Sequence, residues 1–196
     1  MQYRIRDFTL ALLALFLFSP VLIGIVLLLW ATQEKVWFFQ LRPGKGERPF
    51  TLWKFSTMRD AAPGEAEEAH QQARLTKVGR WLRQTSLDEL PQLWNVLRGE
   101  MSLVGPRPLL MEYLPLYSEE ERNRHAVLPG ITGWAQIHGR NQLSFKERFA
   151  YDLWYVEHRS FWLDLRILWL TGKKVWQKEG VYANVHTTSP KFDGTN

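Results

Sequence analysis

The first pattern along the chain is an uninterrupted one. From Phe8 to Thr32 the run FTLALLALFLFSPVLIGIVLLLWAT carries no charged residue. A helix needs roughly 20 apolar residues to cross a bilayer core of about 30 Å, so this stretch predicts a membrane helix. It exceeds the roughly 7 to 15 apolar residues of a cleaved signal, and no small-x-small site stands before Gln33; the segment is expected to be retained. Pro20 lacks the N–H that the Phe16 carbonyl would receive, which predicts a bend at Ser19-Pro20 with the Ser19 hydroxyl satisfying a freed backbone group. Arg4 and Arg6 precede the run, and Lys35, Arg42, Lys45 and Arg48 follow it. Cations on both flanks suit a helix that enters and leaves by one leaflet. A kinked span accommodates the proline equally well, and the pattern leaves both open.

Beyond this run the periods shorten. VWFFQ and PFTLWKF predict two strands of a hairpin around RPGKGER, whose Gly-Lys-Gly lacks the remaining residues of a phosphate loop. Asp60 to Gln72 predicts a loop leading into a polar helix, its carboxylates solvated. Leu75 to Leu97 has helical spacing, broken near Thr85 to Pro91, and GEMSLVGPRP predicts a stiff loop. A helix is expected over Leu110 to Glu121, followed by the Gly-rich connection LPGITGWAQIHGRN. From Phe145 onward the chain is helical again, with Ser160 as N-cap of FWLDLRILWLTGKKVWQK. Phe161, Leu165, Leu168, Trp169 and Trp176 share one side of that helix. Trp at headgroup depth with Lys173, Lys174 and Lys178 suits an anionic membrane surface, and core packing accounts for the same stripe.

Composition narrows the chemistry. A chain of 196 residues suits one domain of ordinary size. Its mean hydropathy of -0.28 would describe a soluble protein only because the polar remainder offsets the N-terminal run. With no cysteine, disulfide scaffolds, thiolate zinc sites, iron-sulfur clusters and cysteine nucleophiles are all excluded. The net charge of +5 calls for an anionic partner, but the cations are dispersed and a membrane is nearer than nucleic acid. The five histidines show no metal-ligand spacing.

The segment richest in candidate chemistry is TSLDELPQLWNVLRGEMSLVGPRP. Asp88 and Glu89 adjoin at a helix start, where Asp88 as N-cap would place Pro91 in the first turn, and Ser86-x-x-Glu89 fits a capping box less well. The same carboxylates could instead serve as a nucleophile or hold Mg2+ through hard oxygens beside phosphate. Lys54, Arg83, Arg107 between two prolines, and Arg140 in GRN offer cations matched to phosphate oxygens. Together they suggest phosphoryl transfer, while each alone is explained as a solvated charge.

Taken together, the Ser19-Pro20 break, WKFSTMR, SLDELPQLWNVLRGEMSLVGPRP, PGITGWAQIHGRN and YDLWYVEHRSFWLDLRIL resemble the small monotopic phosphoglycosyl transferases of the bacterial sugar transferase family, over nearly the whole chain. The resemblance implies transfer of a sugar 1-phosphate from a UDP-sugar to polyprenol phosphate with release of UMP. It implies Asp88 as nucleophile of a ping-pong cycle through a phosphosugar-aspartyl intermediate, Glu89 as its partner through Mg2+ or proton handling, and Lys54, Arg83, Arg107 and Arg140 as substrate-binding residues. It also implies a re-entrant helix bent at Ser19-Pro20 over residues 1–34, and a catalytic domain over 35–196 on the cytosolic face of the inner membrane, in contact with membrane lipid. The expected fold is α+β and mainly helical, with a small hairpin and interfacial amphipathic helices. LLMEYLPLYSEEERNRHAVLPGITGWAQIHGRN and HTTSPKFDGTN bring the chain nearest to members that begin bacterial N-linked glycan assembly from UDP-N,N'-diacetylbacillosamine. Two rival readings stand beside it: a glycosyltransferase expelling UDP, and a membrane-anchored scaffold binding anionic lipid.

Overall fold

The structure is a computed structural model, and it describes residues 2–33, 35–60, 74–139, 143–177 and 191–194. The expected acidic loop lies largely outside these residues, as do Arg140 and Lys178. The architecture is α+β and mainly helical, as the sequence predicts.

Helix α1, Gln2–Thr32, runs through Pro20, and the Ser19 hydroxyl donates to the Phe16 carbonyl at 2.7 Å. That carbonyl is the one Pro20 cannot serve, so the predicted compensation is present. At 31 residues the helix would reach roughly 46 Å. Both of its ends nevertheless dock on the same domain. Near the N-terminus Arg4 donates to the Val96 and Leu97 carbonyls, Arg6 ion-pairs with Asp164 at 2.7 Å, and Asp7 accepts from Ser102. Near the C-terminus Ile25 and Leu29 pack with Phe55 and Leu82, and Gln33 donates to the Ser56 carbonyl at 2.9 Å. Arg4 and Arg6 are thus protein-bound rather than free flanking charges. Between the docked ends Leu12, Leu13, Phe16 and Leu17 leave a bare apolar face.

The predicted hairpin forms from β1, Trp37–Pro43, and β2, Pro49–Phe55, antiparallel with Phe38 opposite Lys54 and Arg42 opposite Phe50. Next come α2, Lys77–Thr85, a single 3-10 turn over Leu87–Glu89, and α3, Gln92–Arg98, matching the expected interruption. Asn95, fully buried, ties α3 to the hairpin by accepting from the Trp53 N–H at 3.1 Å and donating to the Thr51 carbonyl at 2.7 Å.

Two sequence expectations change here. GEMSLVGPRP and LPGITGWAQIHGRN are not only loops: β3, Ser102–Val104, and β4, Gly130–Thr132, pair in parallel as a second small sheet, and a short helix follows at Trp134–His138. Leu110 to Glu121 is not one helix but a 3-10 segment at Met111–Leu116 and a short helix α4, Glu119–Arg122, capped afresh by Ser118. Pro115 within the 3-10 segment and extended Tyr117 prevent a continuous hydrogen-bond ladder.

With Trp134–His138 as α5, the last two helices are α6, Phe145–His158, and α7, Phe161–Gln177, whose Ser160 hydroxyl accepts from the Leu163 N–H as expected of an N-cap. The apolar stripe of α7 divides differently from the prediction. Ile167 is buried and Leu168 packs partly against the core, whereas Trp162, Trp169 and Trp176, spaced by sevens, stand exposed on the other side. The leucine side serves the core and the tryptophan side does not. The main core joins Ala11 of α1, Phe50 and Leu52 of the hairpin, Leu93 and Val96 of α3, and Tyr155 and Ile167.

Candidate active site

Alternation along β2 sends Leu52 into the core and Lys54, two residues on, to the same side at its edge. The chain then passes Thr57, whose carbonyl lies against α2; a Cβ on Gly79 would come within 1.9 Å of it, so only glycine lets the helix approach this closely. That approach brings Arg83, in the last turn of α2, within 2.9 Å of the Thr57 hydroxyl, to which its Nε donates.

Helix α2 ends at Ser86, which takes the left-handed conformation at φ 57°, and the reversal delivers the turn Leu87–Glu89 under the hairpin. The capping explanation for the acidic pair fails. No side-chain cap bond exists at Ser86, and the residue before α3 is Pro91, also without one. Asp88 and Glu89 are therefore free of the duty that could have explained them locally.

The fourth side arrives from β3. A Cβ on Gly130 would fall 2.1 Å from the Gly105 nitrogen, so the two strands meet where neither carries a side chain. The Pro106-Arg107-Pro108 loop grows from this junction, and Arg124, itself 2% exposed, donates to the Arg107 carbonyl at 2.8 Å while pairing with Asp152 at 2.6 Å. A side chain bonded on both sides fixes the backbone of Arg107. Sequence reading overlooked Arg124, Asp152 and Thr57; no spacing signal marks them, because each acts through a partner distant in the chain.

The assembled geometry is unequal for the two neighbouring carboxylates. Glu89 accepts from Lys54 Nζ at 2.7 Å and from Arg107 at 2.6 Å on Oε1, with a longer 3.3 Å bond on Oε2. Burial raises its carboxyl, but the Arg107 and Lys54 cations and their hydrogen bonds outweigh burial and hold it well below the usual carboxylate range. Asp88 is 8% exposed, and among the described residues none donates a hydrogen bond to it. Burial and the adjacent Glu89 charge push its carboxyl up to about 6, against the pull of Lys54, Arg83 and Arg107. Arg83 in turn is lowered by burial despite the attraction of Asp88 and Glu89. One carboxylate is locked by cations; the other is poorly solvated and available.

Lys54, Arg83, Asp88, Glu89 and Arg107 are thus brought together, while Arg140 lies outside the described residues. Among the described residues no three of His, Cys, Asp and Glu gather into a ready metal cage. Two hard oxygen donors remain: the Asp88 carboxylate and Glu89 Oε2, which accepts only the 3.3 Å bond. Mg2+ commonly takes one or two carboxylates and completes its shell with phosphate and water, so the pair fits an ion arriving with its substrate.

Comparison with known proteins gives the family. The bacterial sugar transferase family matches residues 1–178. An uncharacterized sugar transferase of Bacillus subtilis, EpsL, is 49% identical over 193 residues, covering 98% of this chain and 96% of that protein. The UDP-glucose:undecaprenyl-phosphate glucose-1-phosphate transferase of Escherichia coli K12 is 40% identical over 91% of this chain but only 41% of its own length. The undecaprenyl-phosphate galactose phosphotransferase of Salmonella typhimurium is 47% identical over 56% of this chain and 23% of its own. The chain thus spans nearly all of the first relative and less than half of the other two.

Proposed function

The chain belongs to the bacterial sugar transferase family, and from that premise we propose that it moves a sugar 1-phosphate from a UDP-sugar to polyprenol phosphate and releases UMP. The observation that carries the reading is the unequal pair: Glu89 bound by two cations, and next to it a buried Asp88 without a hydrogen-bond donor among the described residues. A carboxylate raised to about 6 is ionised near neutral pH yet weakly solvated, which favours nucleophilic attack.

In the first half-reaction an Asp88 oxygen bonds to the phosphorus that carries the sugar, and the bond from that phosphorus to the bridging oxygen breaks. UMP departs with the electron pair, leaving a phosphosugar-aspartyl intermediate, an acyl phosphate. In the second half-reaction a phosphate oxygen of polyprenol phosphate attacks the same phosphorus, and Asp88 leaves as carboxylate. Lys54, Arg83 and Arg107 neutralise the phosphate oxygens, and Arg140 is assigned to the same task by the family resemblance. Asp88 and Glu89 are the residues to hold Mg2+, which would supply further positive charge to the diphosphate. Glu89 keeps Lys54 and Arg107 in register, so that a small side chain does not have to bind substrate to position two cations.

On the same proposal the domain lies on the cytosolic face of the inner membrane, with α1 re-entrant. Docking of both helix ends on one domain supports this, since a straight span would carry one end across the bilayer. The bare apolar face of α1 and the Trp162, Trp169 and Trp176 ridge of α7 are the surfaces offered to lipid. The cysteine-free chain allows single introduced cysteines to report topology without background; labelling of residues 2 and 196 from opposite sides would refute re-entry.

The donor sugar is resolved by comparing UDP-N,N'-diacetylbacillosamine, which the sequence resemblance favours, with UDP-glucose and UDP-galactose, suggested by the relatives' names. The decisive assay incubates each with undecaprenyl phosphate and Mg2+ and identifies the nucleotide product. UMP is the expected result; UDP would assign a different transferase class, and no nucleotide from any donor would favour the scaffold.

A further inference from the structure

Of the residues described near the C-terminus, 191–194, only Phe192 is buried, at 4% exposed, while Lys191, Asp193 and Gly194 around it are exposed. Its ring enters a cluster formed with Leu109, Tyr113, Tyr117, Phe145 and Phe149. The rings of Tyr113, Tyr117, Phe145 and Phe149 stand 5.6, 5.7, 5.1 and 5.2 Å from it between centroids. Tyr113 and Phe149 meet it edge to face, an arrangement that aromatic quadrupoles favour. Two residues on, Gly194 has φ 94°, a left-handed backbone that glycine takes without strain, and a Cβ there would come 3.6 Å from the Leu116 carbonyl. The tail is therefore seated beside the 3-10 segment Met111–Leu116.

What stands behind the cluster connects it to the candidate site. Tyr117 and Phe149, both touched by Phe192, also flank the buried Arg124 guanidinium, which lies 5.8 and 5.2 Å from their ring centroids. Arg124 donates to the Tyr117 hydroxyl at 3.3 Å and to the Arg107 carbonyl at 2.8 Å. Leu109, two residues beyond Arg107, belongs to the cluster itself. The loop that presents Arg107 is thus held at a carbonyl and at a side chain, and the same rings support both. Because the residues on either side of Phe192 are exposed, loss of its ring would open the cluster to water beside the buried Arg124–Asp152 pair, whose strength depends on water being kept out.

We propose that Phe192 is a positioning residue for Arg107, closing the aromatic cluster that fixes Arg124 and Leu109 and through them the loop carrying the Arg107 guanidinium. The inference rests on the transferase reading, in which Arg107 neutralises phosphate oxygens. It gives the terminal segment HTTSPKFDGTN a task in the reaction.

The test uses the full-length protein in nanodiscs and compares Phe192→Ala and Phe192→Leu, alone and combined with Arg107→Gln. UMP release is measured at saturating donor and acceptor, at a temperature where circular dichroism shows each variant folded. Phe192→Ala is expected to lower the rate about tenfold, because displacing a phosphate-binding group costs rate out of proportion to its movement. Phe192→Leu, which keeps bulk without the ring, should recover part of that loss. In the Arg107→Gln background the Phe192→Ala change should have less than about a twofold effect, since the group it positions is gone. A merely structural role predicts a lower melting temperature with the rate per folded protein unchanged, or a loss that is equally large beside Arg107→Gln; either result overturns the proposal. If Phe192→Ala does not fold, Phe192→Leu decides in the same cycle, and a wild-type rate or an equal loss in both backgrounds overturns the proposal there. Wild-type protein that releases no UMP from any donor would overturn the transferase reading and this proposal with it, whereas an active wild type with unchanged Phe192→Ala overturns this proposal alone.

Discussion

Two clusters of charge lie at opposite ends of the same chain logic, and they behave differently. At the foot of α1, Arg6 pairs with Asp7 and Asp164, each at 2.7 Å, Asp7 accepts from Ser102, and Tyr155 donates to Asp164 at 2.7 Å. Asp7 and Asp164 are buried, and each has a donor. At the hairpin edge, Lys54, Arg83 and Arg107 surround two carboxylates of which only Glu89 is hydrogen-bonded by described residues. In the first cluster each described charge has an opposite charge within the protein, and the pairing holds the apolar helix α1 to its domain. The second has an excess of cations and an unsatisfied carboxylate, so it is completed by something that arrives. Buried charge alone does not mark a site; buried charge left incomplete does.

The largest effect that sharpens this contrast is expected from Asp88→Asn. Loss of a covalent nucleophile should reduce UMP release by about a thousandfold or more. The same substitution should stabilise the fold. A carboxyl raised from its ordinary value to about 6 is more favourable neutral, and at neutral pH its ionisation costs up to about 2 to 3 kcal/mol. A higher melting temperature with lost activity supports both halves; a lower one would break the description of Asp88 as strained by its setting.

At the balanced cluster the signs reverse. Asp164→Ala removes one of the two carboxylates paired with Arg6 and the nearer acceptor of the Tyr155 hydroxyl, leaving Asp7 and the Val104 carbonyl as their partners, and is expected to cost about 2 kcal/mol of stability in denaturant unfolding. The protein that remains folded should release UMP at a rate near wild type. A selective loss of kcat with stability intact would show the two clusters to be coupled.

Dependence on pH is the third test. Asp88 acts as the ionised form, so the rate should fall about tenfold per unit as pH drops below about 6. Stability moves the other way: the raised carboxyl contributes stability that is fully present below its unfolded value, near 4, and lost as pH rises through about 6. In Asp88→Asn that component of the stability profile should vanish. The smallest effect is expected from Ser19→Ala, which removes the bond to the Phe16 carbonyl and should cost about 1 kcal/mol, read as a modest fall in melting temperature with activity retained.

Much of the frame was legible because it rests on local periods. The apolar run, the hairpin and the interruption before Pro91 follow from hydrophobicity and turn chemistry that neighbouring residues carry between them. The second sheet was not legible, since β3 and β4 have three residues each and pair in parallel across a long separation. Nor was the failure of the capping explanation, because Glu89 satisfies capping spacing while its carboxylate is drawn away by Lys54 and Arg107. The stripe on α7 mixed core and exposed residues for a similar reason: spacing assigns a face, and only packing decides which face is covered.

The sequence by itself determined that this chain carries one long apolar helix, a domain without thiol chemistry, and an adjacent Asp88-Glu89 pair among scattered cations. The tertiary structure decided which carboxylate is which. Two acids one residue apart have nearly the same chemistry as free side chains, and their difference arises when β2 brings Lys54 and the Gly105-Gly130 junction brings Arg107 to Glu89, leaving Asp88 buried without a donor among the described residues. Solvation and charge are properties of a place, and the place is made by segments that meet only on folding.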